Sequence, residues 1–192
     1  MKLAIVIGST RQGRVSERLA KWASQEAAEQ HPEHEWKTVD LKAFDLPLFD
    51  EPKSPQSNSH REVSEQVAAY LVAMGEVDGF VIVTPEYNHA MPAALKNALD
   101  LLDTQLIKKP VAIISHGVVS GARANEQVRV TVNSSLGAVP IPASLTFFGK
   151  VTDLIDTEGN STGENELNRK KLQGVFEQLL WYADALKVAR EK

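Results

Sequence analysis

The stretch 3-LAIVIGSTRQGRVS-16 joins five consecutive apolar residues to a polar loop bracketed by Gly8 and Gly13. An apolar, β-branched run of this length without alternation is the pattern of a strand buried on both faces. The residues after Val15, 15-VSERLAKWASQEAAEQ-30, place Val15, Leu19, Trp22 and Ala23 on one helical face. The chain therefore opens as strand, loop, helix, with the loop delivered to a helix N-terminus. Such a terminus presents unpaired N–H groups and a positive dipole end, which suits an anion.

The same alternation continues outward. Runs 79-GFVIV-83 and 110-PVAIIS-115 repeat the buried-strand pattern, and 35-EWKTVDL-41 alternates as an edge strand does. The segment 139-VPIPASLTF-147 is a fifth candidate, and its two prolines confine it to an edge or a bulge. Helical patterns fall between these runs at 61–77, 92–102, 121–137 and 164–191, the second opening on Pro92. Strand–helix alternation predicts a parallel sheet with right-handed crossovers and helices on both faces. Five strands in 192 residues favour a flavodoxin-like three-layer α/β sandwich in the order 2-1-3-4-5, one domain over residues 1–192. The segment 44–60 carries Phe44, Leu46, Leu48 and Phe49, so it is read as a lid or subunit contact rather than a linker.

Composition narrows the function classes. A net charge of −4 argues against a nucleic-acid surface, and the absence of cysteine removes disulfides, thiolate metal sites and cysteine nucleophiles. No stretch approaches the ~18 apolar residues of a membrane span, and the N-terminal apolar run is too short for a signal peptide. The cytoplasm is the expected location. The five histidines have no metal-ligand spacing, and no G-x-S-x-G elbow is present.

In a sheet of this type the ligand sits beyond the carboxyl ends of the strands, where the order reverses. That selects loops 8–16, 84–91 and 115–122. The first has the glycine spacing of a P-loop, but Arg14 and Val15 stand where Lys and Ser/Thr should follow. G-x-G-x-x-G is also absent. Ser9, Thr10 and Ser16 offer hydroxyls, and Arg11 and Arg14 offer charge, a set that fits one metal-free phosphate monoester. The loop is also compatible with an ordinary turn in which Ser16 caps the helix. In 84-TPEYNHAMP-92, Pro85, Glu86, Tyr87 and Asn88 can border a flat heterocycle, or Asn88 can simply cap the next helix. In 115-SHGVVSGARAN-125, Gly117 and Gly121 mark either close approach to a planar ligand or a tight turn, and His116 is either a pocket or a turn residue.

Together the stretches 8-GSTRQGRVS-16, 84-TPEYNHAMPAALKNALD-100 and 115-SHGVVSGARA-124 resemble the NADPH-dependent FMN reductases, a family that includes quinone, azo-dye and chromate reductases. The resemblance implies a flavodoxin-like fold and non-covalent FMN. It implies that Ser9, Arg11, Arg14, Val15 and Ser16 cradle the FMN phosphate. Pro85, Glu86, Tyr87 and Asn88 would line the ring, and His116 and Gly117 would approach its pyrimidine end. It further implies NADPH or NADH as co-substrate and a small acceptor, whether a quinone, flavin, azo dye or metal oxyanion, reduced in a ping-pong cycle. A homodimer or homotetramer is expected, with no nucleic-acid or membrane partner. Hydride transfer needs no side-chain acid or base, so no catalytic residue is nominated. His116 with Val118 and Val119 departs from the small residues usual in the third loop. The alternative is a flavodoxin-type electron carrier without a nicotinamide substrate. A P-loop phosphotransferase is disfavoured by the missing Lys and Ser/Thr.

Overall fold

A computed structural model describes residues 1–58 and 60–192. Strand β1 (Lys2–Ile7) leads through the first loop into helix α1 (Ser16–Gln30), and β2 (Glu35–Asp40) runs into a short helix α2 (Leu41–Phe44). Helix α3 (Glu65–Gly75), β3 (Gly79–Pro85), α4 (Ala93–Asp100), β4 (Pro110–His116) and α5 (Ala122–Ser134) follow. The chain then passes through β5 (Val139–Pro140), β6 (Leu145–Thr146) and α6 (Val151–Leu154) to the long α7 (Glu166–Arg190).

The strands form one parallel sheet in the order β2-β1-β3-β4-β5, as the alternation predicts, and the order reverses between β1 and β3. Registers such as Leu3 with both Trp36 and Gly79 place the apolar runs side by side. The fifth position is divided. β5 pairs with the start of β4 at Pro110 and Val111, and β6 with its end at Ile114 and Ser115. Pro140 closes β5 and Pro142 lies between the two pieces, where a missing N–H prevents a continuous ladder.

Alternate residues of each strand fill opposite cores. Leu3, Ile5, Ile7, Val81, Val83, Ala112 and Ile114 meet Leu19 and Trp22 of α1 and Leu172, Phe176 and Leu179 of α7. Ala4, Val6, Phe80, Ile82, Val111 and Ile113 meet Tyr70 and Met74 of α3, Leu95 and Leu99 of α4, and Val128 and Val132 of α5. Burial on both faces is the reason these strands read as unbroken apolar runs. Trp22 meets Phe147 edge-on at 5.8 Å, closing the first core near β6.

The 44–60 segment, Ser59 aside, is tied to the body of the sheet. Asn97 of α4 accepts from the Phe49 N–H at 2.8 Å and donates to the Pro47 carbonyl at 2.9 Å. Gln56 donates to the Ser135 carbonyl at 2.6 Å, and Arg61 joins Glu51 to the Leu101 carbonyl. Phe44 and Leu46 pack on the second core while Leu48 stays exposed. Among the described residues no helix is long and apolar enough to cross a membrane.

Candidate functional site

All three loops singled out in the sequence lie at the carboxyl ends of β1, β3 and β4, which are adjacent in the sheet. Gly8 starts the first loop in a narrow passage. Its N–H donates to the Val83 carbonyl at 2.9 Å, and a Cβ there would sit 3.0 Å from that oxygen and from Leu95. The absence of a side chain is what lets the loop turn over β3 and α4. Gly13 supplies a left-handed residue, with open space around where its Cβ would be.

Beyond Gly8 the loop leaves a row of donors unused. The N–H groups of Ser9, Thr10, Gln12, Gly13, Val15 and Ser16 have no acceptor among the described residues. The Arg11 N–H lies 3.4 Å from Ser9 Oγ, and its exposed guanidinium stands over the Tyr87 ring at 5.5 Å. Arg11 has no carboxylate within ion-pair distance among the described residues. Arg14 has a different environment. Its side chain is 6% exposed, and it donates to Asp40 Oδ1 and to the Ser9 carbonyl, each at 2.7 Å. Glu17 completes its partners, and its Nε is buried without one. Arg14 thus braces the loop from behind by tying it to the end of β2.

Ser9 and Ser16 are both fully buried. Ser9 Oγ shares a 3.0 Å hydrogen bond with the Tyr87 hydroxyl, linking the first loop to the second. Ser16 Oγ shares a 2.8 Å hydrogen bond with His116 Nε2, linking it to the third. Val15 is half-buried just before α1 and packs on the first core.

The second loop is shaped by a tight turn. Tyr87 and Ala90 exchange backbone hydrogen bonds of 2.9 and 3.0 Å, and Asn88 and His89 between them both have positive φ, 49° and 68°. Positive φ at both central residues matches the two-residue mirror-image turn, a conformation uncommon for any non-glycine residue but adopted more readily by Asn and His than by most. Asn88 therefore does not cap α4; Pro92 stands at that position. His89 is exposed and belongs to no core. The Asn88 and His89 N–H groups remain unpaired among the described residues, as do those of Gly117, Val118 and Val119.

Glu86 fixes the third loop. Its carboxylate accepts from the Arg123 N–H at 3.0 Å and from Arg123 Nη1 at 2.7 Å, so it sits on the N-terminus of α5. Burial raises its pKa, but the hydrogen bonds and charge of Arg123 outweigh that and hold it below the usual carboxylate value. The anion position at α5 is thereby filled by the protein's own carboxylate. Gly121 begins α5 at φ 71°, and a Cβ there would lie 2.7 Å from the His116 nitrogen. Gly117 passes close to Glu86, whose Cβ would be 3.2 Å from a side chain at that position. His116 is buried, which pushes its pKa down to about 4 and keeps the imidazole neutral at pH 7.

Three residues not picked out by sequence reasoning, Asp40, Arg123 and Phe148, lie at the same edge of the sheet. Asp40 holds Arg14 and Arg123 holds Glu86, through pairings between residues 26 and 37 positions apart. Phe148, just past β6, is 64% exposed, and Val118 in the third loop is fully exposed. Only the strand order, which brings these ends together, exposes their roles. A cleft of about 540 Å³ lies to one side, between α2 and α4, and shares only Thr10 with the three loops.

A row of free N–H donors at the N-terminus of α1 with an unpaired arginine beside it suits a phosphate monoester. Unpaired N–H groups on two neighbouring loops suit the polar edge of a planar heterocycle. The residues present therefore fit a flavin mononucleotide.

The family model for NADPH-dependent FMN reductase matches residues 1–153 of this chain. An NAD(P)H-dependent FMN reductase of Schizosaccharomyces pombe is 30% identical over 185 residues, which cover 93% of this chain and 90% of that protein. A quinone reductase of Escherichia coli is 40% identical over 91 residues, 44% of this chain and 46% of that protein. Among solved structures, the flavoenzyme NAD(P)H:(acceptor) oxidoreductase FerB of Paracoccus denitrificans superposes with a TM-score of 0.73 at 19% identity. That superposition covers 94% of this chain and 98% of that one.

Proposed function

The chain belongs to the NADPH-dependent FMN reductase family, and from that premise we propose that it reduces a quinone or similar small acceptor with electrons from NAD(P)H. Its cofactor is FMN, which when bound supplies a ring that accepts hydride and passes electrons on. The observation that carries the assignment of sites is the set of N–H groups at Ser9, Thr10, Gln12, Gly13, Val15 and Ser16, unpaired among the described residues, beside an Arg11 with no ion pair among them.

The phosphate is proposed to sit on those N–H groups, with Arg11 closing over it from solvent. Arg14 would support the cradle indirectly, since Asp40 and the Ser9 carbonyl already occupy its donors. The ring is proposed to rest against the turn at Tyr87 and Asn88 and the backbone at Gly117, where Pro85 and Glu86 hold the loops in place. Arg123 neutralises the Glu86 carboxylate, so no unpaired negative charge faces the ring from that residue. No side chain has to move a proton in the hydride step. What the protein would contribute is position: the backbone donors at Asn88, His89 and Gly117 would hold the polar edge of the ring, and nicotinamide and acceptor would share one exposed position in turn. That sharing is a ping-pong cycle. The exposed Val118 and Phe148 offer apolar surface to a flat acceptor beside the ring.

We place the protein in the cytoplasm, consistent with a chain without cysteine, and as a homodimer or homotetramer. The apolar groove at Met91, Ala93 and Val130, between α4 and α5, is the surface offered for that contact. Purified protein should bind FMN and be yellow, and NADPH added anaerobically should bleach the flavin band within seconds. A protein that neither carries nor takes up FMN overturns the reading. Bound flavin that neither nicotinamide reduces points to an electron carrier instead.

A further inference from the structure

His116 stands where all three loops meet. Its imidazole reaches Ser16, the first residue of α1, across 100 positions of sequence at 2.8 Å. Its carbonyl accepts from the Glu86 N–H at 2.9 Å, tying it to the loop after β3. Its backbone nitrogen and oxygen lie against Gly121 so closely that a Cβ there would be 2.7 and 2.8 Å away, tying it to the start of α5.

Both side chains of the Ser16–His116 bond are withdrawn from the surface. Ser16 is 0% exposed and His116 7%. A ligand lying on the loops meets neither of them first. What the bond controls is the placement of the groups it joins. Ser16 ends the loop that carries the free N–H donors and starts α1, and His116 leads directly into Gly117 on the ring side.

We propose that the Ser16–His116 hydrogen bond is a pin that sets the distance between a phosphate half-site and a ring half-site. His116 is then a positioning residue acting through Ser16 rather than a flavin contact. The inference rests on the FMN reading above. A ligand that spans two half-sites gains from both only when their spacing matches its own length; if the spacing drifts, the second half binds at a lower effective concentration. Ligands that fill one half alone are indifferent to that spacing. A neutral imidazole suits the pin, because a buried charge beside Ser16 would have no carboxylate partner among the described residues.

The experiment compares wild type with Ser16→Ala, His116→Leu and the double variant, titrating FMN, riboflavin and inorganic phosphate. Riboflavin has the ring without the phosphate, and inorganic phosphate the reverse. The expected result is FMN affinity reduced about 10- to 100-fold in each single variant, the range for a buried hydrogen bond left half-made. The double variant should be no worse than the weaker single one. Riboflavin and phosphate affinities should stay at the wild-type value, and Ser16→Thr should restore FMN binding. Unchanged FMN affinity in Ser16→Ala overturns the proposal. So does a parallel loss of phosphate affinity, which would make Ser16 a direct ligand. If His116→Leu fails to fold, Ser16→Ala decides alone. Wild-type protein that binds no FMN overturns the reading beneath it, an outcome distinct from an FMN-binding wild type with indifferent variants.

Discussion

Arg11 and Arg14 are three positions apart in one loop, and their surroundings give them opposite roles. Arg11 is exposed with no carboxylate within ion-pair distance among the described residues, so its charge is available to a ligand. We expect Arg11→Ala to weaken FMN binding by about 1.5–3 kcal/mol, the range for hydrogen bonds to charged groups, with little effect on folding. Fluorescence titration checks the first half and a urea melt the second. Arg14 is buried against a partly exposed Asp40, so Arg14→Ala should act chiefly on the fold, lowering stability by roughly 1–3 kcal/mol in the same melt. The sequence shows two arginines in an anion-binding loop; it does not show Asp40 arriving from β2 to neutralise one of them. His116 adds a pH dependence. Its pKa falls from 6.5 unfolded to about 4 folded, because burial disfavours the imidazolium. The unfolded chain therefore binds the extra proton first as pH drops. The stabilising contribution is whole above pH 6.5 and is lost progressively down to about pH 4, reaching about 3 kcal/mol. Denaturant melts at pH 7 and pH 4.5 should show this loss in wild type, and a smaller one in His116→Gln, which has no imidazole to charge.

At the scale of elements, the informative pieces are turns. The 87–90 turn holds Asn88 and His89 at positive φ, a conformation that a glycine accepts without strain. His89→Gly should raise the melting midpoint, by about 1 kcal/mol of stability, leaving FMN affinity unaltered because glycine keeps the backbone N–H and the removed imidazole is exposed. Gly121 is the opposite case. It combines φ 71° with backbone contacts that a Cβ would violate, so Gly121→Ala should cost roughly 2–4 kcal/mol and displace His116. Thermal denaturation of the two variants should move in opposite directions. The strand runs and the five long helices were legible because both periods are strong. The tight turn at Asn88 was not, since neither Asn nor His demands it; the reciprocal Tyr87–Ala90 bonds do. The short α2 and the broken fifth strand were also set locally, by Asp40 accepting from the Lys42 N–H and by the spacing of Pro140 and Pro142.

At the scale of the whole molecule, the family match ends at residue 153 while the first core does not. Leu172, Val175, Phe176 and Leu179 of α7 cover the sheet face that α1 covers only in part. Four large side chains at about 1.5–3 kcal/mol each amount to some 6–12 kcal/mol, comparable with the net stability of a domain. A chain ending at residue 153 should therefore lack a cooperative melt by circular dichroism. A cooperative transition at the wild-type temperature would show that α7 is dispensable.

The sequence by itself determined the sheet, its two covered faces, the three loops at its carboxyl edge and the likeness to a flavin-binding family. Those follow from apolar periodicity and from short motifs, which act over a few residues. Tertiary structure alone decided which charges at that edge are free. Arg14 and Glu86 look available in the chain and are held by Asp40 and Arg123, whereas Arg11 has no ion pair among the described residues. It also turned Ser16 and His116 inward toward each other. Their bond joins residues 100 positions apart, and nothing in a local pattern records a partner that only the parallel order of β1, β3 and β4 brings within reach.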